Sequence, residues 1–153
     1  MNVHFFLEPQ DVAIVAATSK DAILEMLARQ FAGSYDLNAD DVLERLQERE
    51  ALGSTGFGRG VAIPHARVTG VNRPVAVLLK LKDPVDFGAA DGMPVDLVFG
   101  LISPEQSGAA HLHALAAISR LVRDERIHEV LSEAPDAEAL YSLISNAADR
   151  DAA

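Results

Sequence analysis

The positions of hydrophobic residues along the chain predict helices near both ends and strands in the middle. Apolar residues recur at helical intervals in five segments: 20–32, 39–50, 109–122, 125–132 and 136–145. Three apolar segments indicate strands, the last two of them buried: 12–16, 75–81 and 95–102. We expect Ser19 and Asn38 to cap the first two helices and Gly33 to end the first.

The order of these elements predicts an α/β fold, a single-domain sandwich with a small mixed β-sheet flanked by helices. The strands cluster in the middle and three helices follow in a row, whereas a doubly wound fold alternates strands and helices throughout. A chain of 153 residues has the length of one ordinary domain. We place that domain at 1–146 and predict a frayed polar tail at 147–153.

The composition restricts the classes of partner and of chemistry. The net charge of −10 repels the phosphate backbone of nucleic acid and the headgroups of anionic lipids. The absence of cysteine excludes disulfides, thiolate nucleophiles and cysteine-ligated metals. No apolar run approaches the length of a membrane span, and residues 1–8 lack the features of a signal peptide. We therefore expect a cytoplasmic protein without membrane insertion.

Positive charge is concentrated in one segment of this acidic chain. Between Arg49 and Lys82 there are six basic residues and one acidic residue, Glu50. The segment therefore carries +5 and the remainder of the chain −15. An anion is expected to bind where positive charge is concentrated in this way.

A glycine-rich loop lies inside this basic segment, at 52–60. It contains four glycines: Gly53, Gly56, Gly58 and Gly60. Glycines let backbone N–H groups approach an anion closely, and the hydroxyls of Ser54 and Thr55 are further donors. The same residues are typical of a tight turn, and the loop matches neither the P-loop nor the dinucleotide-binding fingerprint. The residues alone leave both interpretations open.

His65 follows this loop and is the candidate nucleophile. It stands directly after Pro64, which stiffens the approach, at the end of a short apolar step. A neutral imidazole is nucleophilic near neutral pH, and neighbouring arginines suit a phosphoryl group because guanidinium binds phosphate oxygens in pairs. A structural histidine in a turn would give the same local sequence.

Two further histidines, His111 and His113, lie on a predicted helix. Residues two apart on a helix diverge by about 200°, so these side chains cannot easily bind one metal ion. Helical spacing places His111 on the inner face in the first turn and His113 nearer solvent. A buried histidine with a hydrogen bond is the alternative for His111. The chain has no Gly-x-Ser-x-Gly motif of a serine hydrolase.

The segment 52–67, with the sequence LGSTGFGRGVAIPHAR, closely resembles the active-site signature of the fructose/mannitol-type IIA domain of the bacterial phosphoenolpyruvate-dependent phosphotransferase system. The sequences PVDLVF at 94–99 and HLHAL at 111–115 resemble later blocks of that family, so the likeness spans nearly the whole chain. Within the family, the chain is most similar to the nitrogen-regulatory branch. Phe57 and Ala66 replace an expected Ile or Val and an expected Gly, and leave the chemistry intact.

The resemblance implies that His65 accepts a phosphoryl group from the phosphohistidine of an HPr-like carrier protein, and that Arg49 and His111 line its site. It also implies regulation of partner proteins, such as potassium-uptake components and sensor kinases, through the phosphorylation state. No metal, nucleotide or other cofactor is required. We expect the loop to bind the phosphoryl group through five residues: Ser54, Thr55, Gly56, Gly58 and Gly60. Arg59 and Arg67 are expected to add positive charge beside it.

Three other functions are compatible with the sequence. A sugar-uptake IIA component would pass the phosphoryl group to a fructose/mannitol-type IIB domain. A non-enzymatic adaptor would use the loop only to bind a partner. A metal hydrolase would use His65, His111 and His113 as ligands.

Overall fold

A computed structural model describes residues 4–152 and shows a mixed sheet between two layers of helices. The strands are β1 (Val12–Val15), β2 (Gly56–Gly58), β3 (Val61–Ala62), β4 (His65–Val68), β5 (Val75–Val85) and β6 (Val95–Pro104). The helices are α1 (Lys20–Tyr35), α2 (Ala39–Ala51), α3 (Ala109–Arg123), α4 (Glu125–Ser132) and α5 (Ala137–Ala152). This architecture confirms the predicted single-domain α/β sandwich. Residues 1–3 of the predicted domain and residue 153 of the predicted tail lie outside the described residues.

Strand β6 is central to the sheet because it pairs along both of its edges. The strand order is β1-β5-β6-β3-β2, and β4 also pairs with β6. β5 and β6 are antiparallel, whereas β1 runs parallel to β5, and both β3 and β4 run parallel to β6. The sheet is therefore mixed, as the order of elements in the sequence predicts.

Each face of the sheet is buried by its own set of helices. Successive residues of β5 point to opposite faces, so Ala76 and Leu78 pack with α3, α4 and α5 while Val77 packs with α1 and α2. In β6, Gly100 allows α1 to approach closely, because a Cβ there would lie 2.8 Å from Cδ2 of Leu27. Packing against the two faces of the sheet places α2 and α3 beside the edge that contains β4.

The predicted helix starts are confirmed, and the predicted end of α1 is wrong. The side chains of Ser19 and Asn38 each accept a hydrogen bond from a backbone N–H in the first turn of their helix. α1 continues through the exposed Gly33 to Tyr35, and its C-cap Asp36 has a left-handed φ of 54°. A single glycine weakens a helix by only about 1 kcal/mol relative to alanine, and α1 therefore continues through it.

The predicted polar tail is also wrong over its described part. α5 extends to Ala152, and the side chains of Ala147 and Ala148 are buried in the core on the α3–α5 face. Alanine is the best helix former, and these two alanines extend the inner face of the helix beyond residue 146. Within residues 4–152, no helix combines the length and apolar character that crossing a bilayer requires.

A break in the sheet edge determines where His65 lies. β3 and β4 both pair with β6, and Ile63 and Pro64 separate them. Pro64 has no N–H to donate to the ladder, while its carbonyl accepts a hydrogen bond from the N–H of Leu101. Regular pairing resumes at His65, opposite Leu101. His65 is therefore the first residue of a strand, and its side chain is half-buried.

Candidate functional site

Three elements bring Arg49, His65 and His111 to one open cleft of about 440 Å³. Arg49 lies in the last turn of α2, His65 begins β4, and His111 lies in the first turn of α3. Arg67 and the exposed Leu52 also line the cleft. The three residues expected to carry the chemistry are thus together in space, although 62 positions separate the first from the last in the sequence.

Both ring nitrogens of His65 have hydrogen-bond partners that define its protonation. Nδ1 lies 2.8 Å from the carbonyl oxygen of Ile63, to which it can only donate. Nε2 lies 3.2 Å from Nε of Arg49, a group that can only donate to it. The neutral ring therefore carries its proton on Nδ1, and the Nε2 lone pair is available on the side of Arg49.

Arg49 is held in place by the turn that follows its own helix. Its Nη1 donates a hydrogen bond of 2.9 Å to the carbonyl oxygen of Gly53. This contact leaves Nε directed at His65, 3.2 Å away. The guanidinium is thus a fixed positive charge beside the nucleophilic nitrogen, in a position to bind an anion that arrives there.

His111 approaches the same cleft from the other side. Its side chain is 5% exposed, and its Nδ1 lies 2.7 Å from Oγ of Ser103. The ring centroids of His111 and His65 are 5.6 Å apart. The inner position predicted for His111 is therefore confirmed, and the two rings lie at contact distance from each other where both line the cleft.

Burial keeps both histidines neutral. Burial lowers the pKa of His65 and the Arg49 charge lowers it further, while the hydrogen bond to Ile63 opposes the shift. Burial lowers the pKa of His111 from 6.5 to about 4, and the charges of Arg67 and, when it is protonated at low pH, of His65 add to the shift. At neutral pH, His65 can therefore act as a nucleophile without first losing a proton.

The lowered pKa of His111 predicts a pH-dependent stability. Because the unfolded chain binds this proton below about pH 6.5 and the folded chain only near pH 4, the free energy of unfolding falls as the pH drops between these values. The contribution of His111 to that loss is about 3 kcal/mol at the lower end. Urea unfolding across this pH range measures it. His111→Gln should flatten the dependence, and an unchanged slope would contradict the shift.

The structure does not bring the predicted loop residues to the cleft. The hydroxyl of Ser54 donates to the carbonyl oxygen of Phe87 at 2.6 Å, and that of Thr55 donates to Glu50 at 2.6 Å. A Cβ on Gly56 would lie 2.8 Å from Cβ of Ala89, so this glycine serves close packing. These groups stabilise the turn between α2 and the sheet, which is the simpler interpretation that the sequence left open.

The last part of the loop forms the β2–β3 hairpin, which does not line the cleft. Gly58, Arg59 and Gly60 all have positive φ, and the backbone N–H of Arg59 donates to the carboxylate of Asp91 at 2.7 Å. The Arg59 guanidinium lies 3.4 Å from the carboxylate of Glu125. Neither the two glycines nor Arg59 lines the cleft, so the structure does not bring them into the site where the sequence predicts them. A backbone N–H of the loop that was expected to bind phosphate instead binds the Asp91 carboxylate of the same chain.

Two further residues support the site: Glu50, which no sequence pattern places there, and Arg67, which is expected from the sequence to add positive charge. The nearly buried carboxylate of Glu50 lies 2.6 Å from Nζ of Lys20 and accepts both the N–H and the hydroxyl of Thr55, which fixes the turn after Arg49. Arg67 donates to Oγ of Ser107 at 2.9 Å, directly before α3. Glu50 could have been found as the one acidic residue of the basic segment, whereas its partner Lys20 lies too far away in sequence to give a local signal.

The described residues do not support a metal site. Within 4–152, no group of three or more histidine, aspartate or glutamate side chains is arranged to hold a metal ion. His113, which a metal hydrolase would need, is exposed and its ring contacts His4 at 5.9 Å between centroids. His113 therefore points away from the partners that the hydrolase hypothesis assigns to it.

Comparison with known proteins shows the family of this chain. A family model described as "Phosphoenolpyruvate-dependent sugar phosphotransferase system, EIIA 2" matches residues 5–147. Nitrogen regulatory proteins of Pseudomonas aeruginosa and Bradyrhizobium diazoefficiens are 43% and 44% identical, over 85% and 83% of this chain and the same shares of theirs. The crystal structure of nitrogen regulatory protein IIA-Ntr from Neisseria meningitidis matches with a TM-score of 0.84 at 34% identity, over 90% of this chain and 95% of that one. The chain therefore belongs to the EIIA type 2 family, the phosphotransferase components of the phosphoenolpyruvate-dependent sugar phosphotransferase system.

Proposed function

We propose that this protein is a phosphocarrier of the nitrogen-regulatory branch, which accepts a phosphoryl group on Nε2 of His65. The observation that carries the proposal is the state of the His65 ring. Its Nδ1 proton is directed at the Ile63 carbonyl, and its Nε2 lone pair lies beside a fixed guanidinium at an open cleft. A structural histidine would not need an unprotonated nitrogen that faces a guanidinium at an open cleft.

The proposed step exchanges one phosphorus–nitrogen bond for another. The Nε2 lone pair of His65 forms a bond to phosphorus while the bond from phosphorus to the donor's histidine nitrogen breaks, and that electron pair returns to the donor ring. Nδ1 of His65 keeps its proton because it remains bonded to the Ile63 carbonyl, 2.8 Å away. The phosphorylated ring then carries a positive charge beside the phosphoryl oxygens, and no net proton moves.

Arg49 stabilises the charge of the transferred group. Its Nε–H, which donates to Nε2 of His65 before the reaction, is released as the new bond forms and lies within reach of a phosphoryl oxygen. Transfer of a phosphoryl group depends mainly on positioning and on such preorganised charge. Arg67 on the same cleft adds a second guanidinium.

The donor we propose is an HPr-like phosphocarrier protein, and the output is regulation of other proteins by the phosphorylation state of His65. The names of the relatives from Pseudomonas aeruginosa and Bradyrhizobium diazoefficiens support a regulatory role. The open cleft supports a protein donor, because another protein's histidine must reach Nε2. Potassium-uptake components and sensor kinases are the proposed targets, and the cytoplasm is the proposed location.

The function is tested by incubating the protein with phosphoenolpyruvate, enzyme I and an HPr-like carrier. We expect one acid-labile, alkali-stable phosphate per chain, and nitrogen and phosphorus NMR should place it on Nε2 of His65. The carrier alone, without enzyme I, is the control. If wild-type protein acquires no acid-labile phosphate, it is not a phosphocarrier, and phosphate on Nδ1 would contradict the assignment of the reacting atom.

A sugar-uptake role is the second candidate, because the family model that matches the chain is described as a sugar phosphotransferase system. In that role, phosphorylated His65 would donate to a fructose/mannitol-type IIB domain. Mixing the phosphorylated protein with such a domain distinguishes the two. Rapid transfer to the IIB domain would favour uptake, and a phosphoryl group that stays on His65 favours regulation.

A further inference from the structure

We propose that Ser103 is a positioning residue that fixes the proton of His111 on Nε2, so that His111 donates a hydrogen bond to the phosphoryl group at His65. The proposal deepens the proposed function and rests on it. Ser103 lies in β6, is 0% exposed, and has its Oγ 2.7 Å from Nδ1 of His111. No motif or helical spacing in the sequence singles out this serine.

The buried hydroxyl of Ser103 determines which atom of the pair is the donor. Among residues 4–152, Nδ1 of His111 is the one hydrogen-bond partner of this hydroxyl. If Nδ1 carried a proton and donated it to Oγ, the hydroxyl hydrogen would be buried without an acceptor, which costs free energy. When the hydroxyl donates to Nδ1 instead, both groups are satisfied. The ring proton must then be on Nε2.

The position of this proton matters because His111 is neutral. The pKa of about 4 leaves one proton on the ring at neutral pH, so one nitrogen donates and the other accepts. With Nδ1 occupied by Ser103, Nε2 is the nitrogen available to the cleft, which His111 lines together with His65. An Nε2 lone pair would repel a phosphoryl oxygen, whereas an Nε2–H group donates to it.

The two histidines therefore hold their protons on opposite nitrogens. The Ile63 carbonyl accepts from Nδ1 of His65 and leaves its Nε2 as a nucleophile, whereas the Ser103 hydroxyl donates to Nδ1 of His111 and leaves its Nε2–H as a donor. Because the partners of the two Nδ1 atoms differ, one ring is a nucleophile and the other a hydrogen-bond donor, although their centroids are only 5.6 Å apart.

Contacts between β4, β6 and the start of α3 fix the position of Ser103 relative to His111. Ser103 pairs with Arg67 across the parallel strands β4 and β6. Arg67 in turn donates to Oγ of Ser107 and lies within 3.4 Å of the carbonyl oxygen of Gly108, the residue before α3. The strand pair that presents His65 is therefore tied to the start of the helix that presents His111. The hydrogen bond between Ser103 in β6 and His111 in α3 is a second link between the sheet and this helix.

The tautomer can be measured directly on the unphosphorylated full chain. Long-range proton–nitrogen correlation spectra of the histidine rings at pH 7 distinguish protonated from unprotonated nitrogens. We expect His111 to carry its proton on Nε2 and His65 to carry its proton on Nδ1. A His111 ring protonated on Nδ1 would overturn the proposal. This measurement requires no phosphoryl transfer, so its outcome is separate from that of the proposed function.

Substitution tests whether the serine causes the tautomer. In Ser103→Ala, we expect the two nitrogen shifts of His111 to move toward each other as the tautomers mix, and the maximal rate of phosphoryl acceptance from the phosphorylated HPr-like carrier to fall about tenfold. The KM for the carrier should not change, because the lost contact acts after docking. Ser103→Thr keeps the hydroxyl and should restore both the shifts and the rate.

Ser132→Ala is the matched control, because the Ser132 hydroxyl is also buried but has no hydrogen-bond partner among the described residues. It should leave the His111 shifts and the rate at wild-type values. If Ser103→Ala slows transfer but leaves the His111 shifts unchanged, Ser103 has only a packing role and the proposal fails. It also fails if Ser103→Ala changes neither quantity.

Discussion

We expect a His65→Ala variant to accept no phosphoryl group from the phosphorylated HPr-like carrier. The reason is that the substitution removes the Nε2 lone pair, and no other described residue presents an unprotonated nitrogen beside Arg49 at the cleft. The loss should be complete rather than partial, because a carrier without its nucleophile has no covalent route. The measurement is acid-labile phosphate on the purified variant after incubation with phosphoenolpyruvate, enzyme I and the carrier.

The matched control for this loss is His113→Ala. His113 lies on the same helix as His111, but it is exposed and its ring contacts His4 rather than the cleft. This variant should be phosphorylated like the wild type. Stable phosphate on His65→Ala would show that another residue is the acceptor, whereas loss in both variants would point to a damaged fold, which thermal unfolding detects.

The second large effect is expected for Arg49→Ala, which should slow phosphoryl acceptance about 10- to 100-fold. A charge-assisted hydrogen bond contributes about 1.5–3 kcal/mol, and about 1.4 kcal/mol corresponds to a factor of ten in rate. The guanidinium contacts Nε2 of His65 at the cleft. Removing it should therefore destabilise the phosphoryl group during transfer more than it destabilises the fold. Stopped-flow or quenched-flow kinetics with the phosphorylated carrier measure the rate.

Two further variants show whether geometry or charge is responsible. Arg49→Lys keeps the charge but cannot reach Nε2 of His65 and the carbonyl of Gly53 together, so an intermediate rate is expected. Arg59→Ala is the control, since its guanidinium lies near Glu125 and does not line the cleft. A rate for Arg59→Ala as low as that for Arg49→Ala would contradict this assignment. A large drop in the melting temperature of Arg49→Ala would make Arg49 structural.

The parts of the fold that could be predicted from sequence are those decided by local patterns. The caps at Ser19 and Asn38 depend on neighbours three residues away, and the buried strands depend on unbroken apolar runs. Gly33 was misleading because a glycine ends a helix only where the backbone turns left-handed, and Asp36 makes that turn instead. Helix ends depend on the packing of the following segment, which has no local signal.

The candidate site divides in the same way. Residue types make His65 a candidate nucleophile, the family resemblance implies that Arg49 lies beside it, and helical spacing indicates the inner position of His111. The partners of Ser54 and Arg59 could not be inferred, because Phe87 and Asp91 lie more than thirty positions further along the chain. A glycine-rich basic loop is compatible with binding either a phosphate or a carboxylate of its own chain. The tertiary contacts decide between them, and here they favour the internal carboxylate.

The two histidines of the cleft differ in how easily mutation can change them. The group that orients His65 is the main-chain carbonyl of Ile63, which every amino acid at that position would supply. The group that orients His111 is the side-chain hydroxyl of Ser103, which one substitution removes. A substitution at position 103 can therefore weaken the hydrogen-bond donor on His111 while the nucleophilic nitrogen of His65 stays intact. Under the proposed function, such a substitution would change the rate of phosphoryl transfer without removing the nitrogen that accepts the group.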